Sequence, residues 1–347
     1  MSPTLRASPG SESAHVSQSQ KILVNLPPSF FPCAVLQPQF ERLGSLGAVR
    51  TTSHDNLEPF LKDLASVEAA FMWSWPELSE ESLRATKLRF LGQINTTGLT
   101  ARACLSRGVA LSEARHCWSP AVAEMALGLI LSGLRGIGDY HASMRSGTEK
   151  WVQVFPADIS PRERELTGRR VGIVGFGGIG RRLAELLQPF RTELLVHDPF
   201  ISPRVAEEAG VRNVGLHELL SACEVVVLAA PGSHANRALL GQAEIDLLPK
   251  DSLLVNVSRA SLVDTAALIR RLRKGDLIAL LDVFDEEPLA GDSPLRKIPG
   301  AYLTPHRAGG LLSSVQRALE MLLDDFEAFL AGNPRRYAIT EEMLKCF

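Results

Sequence analysis

The run Val171-Gly172-Ile173-Val174-Gly175-Phe176-Gly177-Gly178-Ile179-Gly180 constrains this chain more than any other stretch. A β-branched segment passes directly into G-x-G-x-x-G, formed by Gly175, Gly177 and Gly180, and then into a helical pattern beginning at Arg181. In a βαβ unit the first glycine permits a tight turn and the second lets a pyrophosphate approach the backbone. The third lets helix and strand pack closely. The positive end of the helix then faces the phosphates. Eighteen residues after Gly180, at the end of the apolar run Leu194–His197, stands Asp198. An acid at that distance accepts the ribose hydroxyls of NAD and disfavours a 2′-phosphate, so NAD is expected rather than NADP. A lone glycine pattern is weak, but strand, glycines, helix, strand and acid in one order form a specific signal.

The rest of the chain alternates in the same manner. Lys21–Leu26 reads as a first strand, Ala69–Trp73 and Leu88–Leu91 as further apolar strands, and Pro76–Thr86 as an amphipathic helix between them. Gly92–Gly98 is small and polar and is expected to be a loop at a strand end. Ser119-Pro120 is expected to open a long helix, with Ser119 as N-cap and Pro120 at the first helical position. Trp151–Gly168 reads as an irregular excursion containing Pro156 and Pro161. Beyond it, strands are expected at Val171–Val174, Leu194–His197, Val225–Ala229, Leu253–Val257, Ile278–Leu281 and Tyr302–Thr304. Strands alternating with helices imply parallel α/β layers, here a doubly wound sheet of Rossmann type around the glycine turn.

Size and charge narrow the function classes. The 347 residues suit two domains, and 45% hydrophobic with 22% charged residues is a globular balance. A formal net charge of −2 argues against a nucleic-acid partner, which needs clustered excess Lys and Arg. Five cysteines without a C-x-x-C pair fit free thiols in a reducing cytoplasm and no metal site. No uninterrupted apolar stretch reaches the ~20 residues that span a bilayer, so no membrane partner is expected. The best candidate, Ala121–Leu134, is interrupted by Glu124 and reads as a buried helix.

Three later strands end in groups suited to chemistry. Arg259 follows Leu253–Val257, the acids Asp285, Glu286 and Glu287 follow Ile278–Leu281, and His306 follows Tyr302–Thr304. Open α/β sheets bind ligands at the carboxyl ends of their strands, so a cation, a carboxylate and an imidazole recur at one edge. Each alone has a plain explanation as an ion pair, a solvated acid or a loop histidine. Together they match what reduction of a ketone by hydride requires. A positioned acid delivers a proton to the oxygen, and an Arg holds a carboxylate with paired donors. A carboxylate beside the imidazole favours its protonated form and fixes its orientation.

These motifs resemble those of the D-isomer-specific 2-hydroxyacid dehydrogenases over roughly residues 21–340. The resemblance is carried by Ala121-Val122-Ala123-Glu124, Val171–Gly180, Leu254–Arg259 with Leu262-Val263-Asp264, Asp282–Pro288 and Thr304-Pro305-His306. It implies that Arg259 binds substrate carboxylate and carbonyl, His306 is the acid/base and Glu287 its partner. The expected cofactor-binding set is Gly175, Gly177, Gly178, Ile179, Gly180 and Asp198, together with Pro231, Asn236 and Asp282. It also implies a smaller flavodoxin-like α/β substrate domain formed from both chain ends and a homodimer built on the nucleotide-binding domains. The expected layout is a disordered tail at 1–20, a substrate domain at 21–118 and 311–347, and an NAD-binding domain at 119–310.

Departures concern the pocket. Ala260 stands where the family has Gly, the stretch from Arg259 to Asp282 is one residue short, and Arg307 follows His306 in place of an aliphatic residue. Trp73, Ser74, Asn95 and Thr96 are the expected substrate contacts outside the nucleotide-binding domain. Trp73-Ser74-Trp75 occupies a position where relatives acting on phosphorylated acids carry arginines, which implies an uncharged side group; tryptophans packed in a core are the equal alternative. Arg307 points the other way, toward a second anionic group. The loop Gly92–Gly98 lacks the family's acidic residue, and His116, Cys117 and Trp118 read as packing. A regulatory NAD(H)-sensing protein with little turnover is the alternative from another class. A formate-dehydrogenase-like enzyme is disfavoured, since that group pairs its His with Gln whereas this chain has Glu287.

Overall fold

In a computed structural model of the protein, residues 20–232 and 236–346 are described, so the tail expected over 1–20 falls outside them but for Gln20. The chain forms two compact units. One runs up to Arg115 and resumes at Val315, and the other is His116–Ser314.

The first unit is a five-stranded sheet of β1 (Lys21–Asn25), β2 (Ala48–Thr52), β3 (Ala69–Met72), β4 (Phe90–Gln93) and β5 (Ala110–Glu113), in the order β2-β1-β3-β4-β5. Every pair is parallel. Such pairs need crossovers, which α1 (Gln37–Leu46), α2 (Leu57–Leu64), α3 (Glu80–Arg84) and α4 (Gly98–Ser106) supply. β3 and β4 are buried along their whole length, which is why they read as apolar runs. β2 and β5 carry no such signal. β2 is an edge strand whose Arg50 and Thr51 lie exposed, and β5 ends in the buried polar pair Ser112 and Glu113. The helix expected over Pro76–Thr86 contracts to α3, where Ser79 and Ser82 form a capping box. The loop expected over Gly92–Gly98 is shorter too: Gly92 and Gln93 complete β4, and Gly98 already belongs to α4, capped by Thr97.

The C-terminal helix Leu312–Leu330 seats the end of the chain on β5. Its Asp325, 2% exposed, accepts hydrogen bonds from Ser112 Oγ (2.7 Å) and from the backbone N–H of Arg336 (2.8 Å) and Tyr337 (2.9 Å). Glu113 N–H then donates to Tyr337 O and Ile339 N–H to Leu111 O, so the last segment covers the sheet edge.

The second unit is a seven-stranded parallel sheet, β12-β11-β10-β9-β6-β7-β8. Its strands are β6 (Arg170–Val174), β7 (Glu193–His197), β8 (Arg212–Asn213), β9 (Val225–Leu228), β10 (Ser252–Asn256), β11 (Leu277–Leu281) and β12 (Ala301–Leu303). The strand order reverses between β6 and β9, the point where doubly wound sheets open a crevice at their carboxyl ends. One face packs on α5 (Ser119–Arg135) and on α7 (Gly178–Leu187), the next helix but one, through Ile130, Leu134, Leu183 and Leu187 against Ile173, Val227, Val255 and Leu280. The intervening α6 (Ile137–Ser146) buries no residue. The other face packs on α9 (Leu216–Ala222), α10 (Gln242–Leu247) and α11 (Thr265–Arg273) through Leu219, Ile245, Leu268 and Leu272; α8 (Pro203–Glu208) crosses between β7 and β8.

Two local expectations change. Ser119 is the first residue of α5 rather than its cap; Trp118 holds the cap position without a side-chain hydrogen bond, and Pro120 lies in the first turn. α7 begins at Gly178 and not at Arg181, so Gly180 of the motif is helical and Gly177 holds the N-cap position. The stretch Arg115–Arg135 is long and apolar enough to cross a membrane by length and composition, and 56% of its apolar window is buried inside the protein. Trp151–Gly168 forms no regular element.

Replacing Asp325 with Ala strands three donors in a buried position, and each lost partner costs about 1–3 kcal/mol. Urea denaturation of Asp325→Ala is expected to show a loss of about 3 kcal/mol. A variant as stable as the parent would remove Asp325 from this role.

Candidate active site

The glycine turn joins β6 to α7. Gly175 has φ +93°, and a Cβ there would lie 2.5 Å from the Ala230 backbone, so no other residue fits. A Cβ on Gly180 would overlap the carbonyl oxygen of Gly175, which is the close strand–helix approach the third glycine allows. Above Gly177 a Cβ would meet nothing, leaving the backbone open to a ligand. Gly178 lies against His116 and Ser119, which leave no space for a side chain. Ile179 is half-buried behind the turn.

Asp198 closes this turn directly. Its Oδ2 accepts from Phe176 N–H (2.7 Å) and its Oδ1 from Phe200 N–H (2.9 Å), while Asn213 brackets its backbone. The acid is fixed beside the glycines and keeps lone pairs for two further donors. These features fit a dinucleotide: an open backbone at a helix N-terminus and an anchored acceptor beyond it. Pro231 follows β9 at the same edge, and Asn236 Nδ2 donates to its carbonyl (3.0 Å).

Arg259 follows β10 at this edge. Asn256, 2% exposed, shapes its turn by accepting from Ser258 N–H and donating to Arg259 O (2.9 Å). Ser258 Oγ ties the turn to Ala230 O. The Arg259 stem lies on Gly232, and its Nη1 donates to Ser258 O, leaving the remaining donors on an exposed guanidinium.

Glu287 and His306 meet. Glu287 Oε2 lies 2.6 Å from His306 Nδ1, and Glu287 Oε1 accepts from Phe284 N–H (3.0 Å). Partial burial alone raises the Glu287 carboxyl, but the bonds from His306 and Phe284, with the charges of His306 and Arg259, outweigh it. The carboxyl is therefore held below the ordinary glutamate value, so its pairing is present at neutral pH and lost only as pH falls through that lowered value. Of the acids after β11, the one next to Pro288 is thus the one that reaches the imidazole.

Asp282, expected against the cofactor, is fully buried and spends its carboxylate on the turn that carries His306. Thr304 Oγ1 (2.6 Å) and Arg307 N–H (2.9 Å) donate to Oδ1, and Ala308 N–H (2.8 Å) donates to Oδ2. His306 is held at φ +51°, which a non-glycine residue rarely adopts, and this clamp over-determines it. Arg307 folds its guanidinium over Gly310.

The other expected contacts lie in the first unit. Trp73 and Ser74 follow β3, and Asn95 and Thr96 lie in the short turn between β4 and α4. Thr96 Oγ1 donates to Gln93 Oε1 (2.6 Å), and its N–H donates to Glu113 Oε1 (2.7 Å). The acid missing from this turn is thus supplied by the next strand. Burial pushes the Glu113 carboxyl up, against the lowering effect of its partners Arg115 and Thr96. The positions of Asn256 and Asp282 carry one sequence signal for such roles, a polar residue at the end of an apolar strand, and it does not say what the residue holds; Glu113, at the end of β5, carries none.

The geometry agrees with relationships found among known proteins. Residues 127–308 match the family described as D-isomer specific 2-hydroxyacid dehydrogenase, NAD binding domain. A glyoxylate reductase of Thermofilum pendens is 31% identical over 245 residues, 69% of this chain and 70% of its own length. A D-3-phosphoglycerate dehydrogenase of Methanocaldococcus jannaschii is 27% identical over 295 residues, 84% of this chain. The chain spans about half the length of that relative, 55%, and of its counterpart in Archaeoglobus fulgidus, 53%. Among solved structures, a phosphoglycerate oxidoreductase from Rhizobium etli superposes with a TM-score of 0.79 at 25% identity, covering 93% of this chain and 99% of that one.

If Asp282 acts through the turn, Asp282→Ala should cost about 3 kcal/mol of stability by stranding three donors. NADH affinity, followed by fluorescence titration, should change by less than about threefold, below 1 kcal/mol. A loss of affinity beyond tenfold with stability intact would make Asp282 a cofactor ligand.

Proposed function

Because the chain belongs to the D-isomer specific 2-hydroxyacid dehydrogenase family, we propose that it is an NAD-dependent oxidoreductase interconverting a small 2-keto acid and its D-2-hydroxy acid. The observation that carries this reading is the His306–Glu287 pair, 2.6 Å apart, on a sheet edge shared with Arg259 and the glycine turn. Gly175–Gly180 and the α7 N-terminus would hold the pyrophosphate, and Asp198 the ribose hydroxyls, which favours NAD over NADP.

When bound, the nicotinamide supplies the hydride to C2 of the keto acid or takes it back from the hydroxy acid. Glu287 occupies Nδ1 of His306, which leaves Nε2 to give its proton to the carbonyl oxygen in reduction and to recover it in oxidation. Glu287, ionised through the neutral range, steadies the imidazolium without taking its proton. Arg259 sets its remaining guanidinium donors on the substrate carboxylate and orients C2. In the first unit, Glu113 fixes the Asn95–Thr96 turn by accepting from Thr96 N–H.

Cys33, Cys104, Cys117 and Cys223 are free thiols, which fits a reducing, cytoplasmic setting. Burial pushes the Cys104 and Cys223 thiols up to about 12, so both are unreactive. A homodimer through the His116–Ser314 unit is supported by the large apolar side chains it exposes, Trp151 at 70% and Phe155 at 80%, together with Ile137, Tyr140 and Met144 of α6.

NADH oxidation against a panel of 2-keto acids tests the reaction. His306→Gln is expected to lower kcat by about 10²–10⁴ while NADH still binds, since only the proton transfer is removed. Undiminished turnover in that variant sinks the assignment, and no turnover by the parent alongside tight NADH binding favours a sensor. Sedimentation velocity tests the assembly. The parent should run as a dimer and Trp151→Asp/Phe155→Asp as a monomer; a monomeric parent, or a variant that stays dimeric, refutes it.

A further inference from the structure

We propose that the His116–Ser314 unit carries a regulatory small-molecule site, a cavity beside α11 that takes a short primary amine with an apolar body. Occupancy steadies the turns of Arg259 and Glu287. The binding half is independent of the reaction proposed above, and the effect on turnover rests on it.

The cavity measures about 250 Å³ and lies between the start of α11, the ends of β10 and β11, and the loop that follows β11. Its apolar walls are Val263, Leu268, Leu281, Val283, Leu289 and Leu295. Four of these, Val263, Leu268, Leu281 and Leu295, belong to the core on the α10–α11 face, so the floor of the cavity is the core itself. Asp285, Glu286 and Ala290 line it and are exposed, which marks its mouth. Packed interiors leave few voids larger than a water molecule, and an apolar void of about 150 Å³ already holds a benzene ring. The lining includes neither the glycine turn nor Asp198 nor His306, so this space is distinct from the site described above.

Charge at the mouth selects the ligand. Asp285 and Glu286 form no ion pair among the described residues, so two carboxylates stand over an apolar floor. Arg296, the cation on this loop, is spent on its backbone: it donates to Leu289 O (2.7 Å) and Ala290 O (2.8 Å) and so fixes the outer wall. A wall fixed in advance spares a ligand the cost of ordering it. An apolar body ending in an ammonium matches both parts of the cavity. The same body ending in a carboxylate would meet like charge, and an amino acid would bring one group of each sign.

The same walls belong to the segments that carry Arg259 and Glu287. Phe284 lines the cavity, and its N–H donates to Glu287 Oε1 (3.0 Å). Ala260 and Asn256 line it too; the first directly follows Arg259, and the second donates to Arg259 O (2.9 Å). The Glu287–His306 pair at 2.6 Å coexists with the cavity in this shape. A ligand that fits the shape therefore stabilises the paired arrangement, and turnover rises by no more than its preference for that arrangement allows.

The test is calorimetric titration of the full chain with 2-phenylethylamine, 2-phenylethanol, 3-phenylpropanoate and phenylalanine. The amine should bind with a Kd on the order of 1 mM, and the carboxylate and the amino acid at least about tenfold more weakly. Asp285→Asn/Glu286→Gln should bring amine and alcohol to within about threefold of each other. Ser293→Phe, which fills the cavity from its rim, should weaken the amine about tenfold or more, and Leu268→Phe fills it from the floor should the first variant fail to fold. In steady-state NADH oxidation, saturating amine should raise kcat about twofold in the parent and leave Ser293→Phe unmoved. No binding of the amine, equal binding of the carboxylate, or an affinity unchanged in these variants overturns the site. A kcat that falls or stays level at saturation overturns the steadying of the turns. If the amine binds as expected and no keto acid is reduced, the site stands while the reaction falls; neither binding nor turnover removes both.

Discussion

Every strand pair in the two sheets is parallel, and that constraint organises the chemistry of this protein. Parallel neighbours require a crossover between them, so all loops that leave the carboxyl ends emerge at one edge. In the second unit this gathers the glycine turn after β6, Asp198 after β7, Pro231 after β9, Arg259 after β10, Glu287 after β11 and His306 after β12. Residues far apart in the chain become neighbours because the backbone pairing leaves them no other edge. The reversal of strand order between β6 and β9 adds the crevice in which a dinucleotide lies.

What turns that edge into a site is a set of buried polar side chains at strand ends. Asp282 holds the turn of His306, Asn256 holds the turn of Arg259, and Asn25 and Glu113 hold loops of the first unit. Each is nearly inaccessible to solvent and has backbone N–H groups among its partners. A buried carboxylate or amide is tolerated only when such partners satisfy it, so the loop conformation and the burial of the polar group enforce each other. The left-handed backbone of His306 is an instance: its strain persists because three donors converge on Asp282.

The long buried strands and the dinucleotide turn are legible in the sequence because their signals are local. β-branched runs, glycine spacing and the acid at the next strand end each depend on a few consecutive residues. The edge strands β2 and β5 are not legible, since one half-exposed face or a buried Ser112 and Glu113 breaks the apolar pattern. The start of α7 is hidden for the opposite reason: Gly178 and Gly180 are poor helix formers by propensity, yet the close approach of His116 and Ser119 to the one and of the β6 end to the other requires them there. Arg259 and His306 are identifiable from their place after strands, whereas the choice of Glu287 over Asp285 and Glu286 came from the family resemblance. Asp282 is identifiable as important but not for its role, because its three partners lie at 304–308, more than twenty residues away.

The sequence by itself determined the parallel α/β character, the glycine turn followed by Asp198, and the recurrence of a cation, an acid cluster and an imidazole after three strands. Those follow from periodicity, glycine stereochemistry and residue type, which need no knowledge of the rest of the chain. Only the tertiary structure decided that Glu287 contacts the imidazole through Nδ1, that the Asp282 carboxylate accepts from the turn that carries His306, and that Trp75 is 37% exposed with its Nε1 on Asp55. The physical reason is range. Burial and hydrogen-bond partners are properties of segments brought together by strand pairing, and a chain read in order does not state which segments those are.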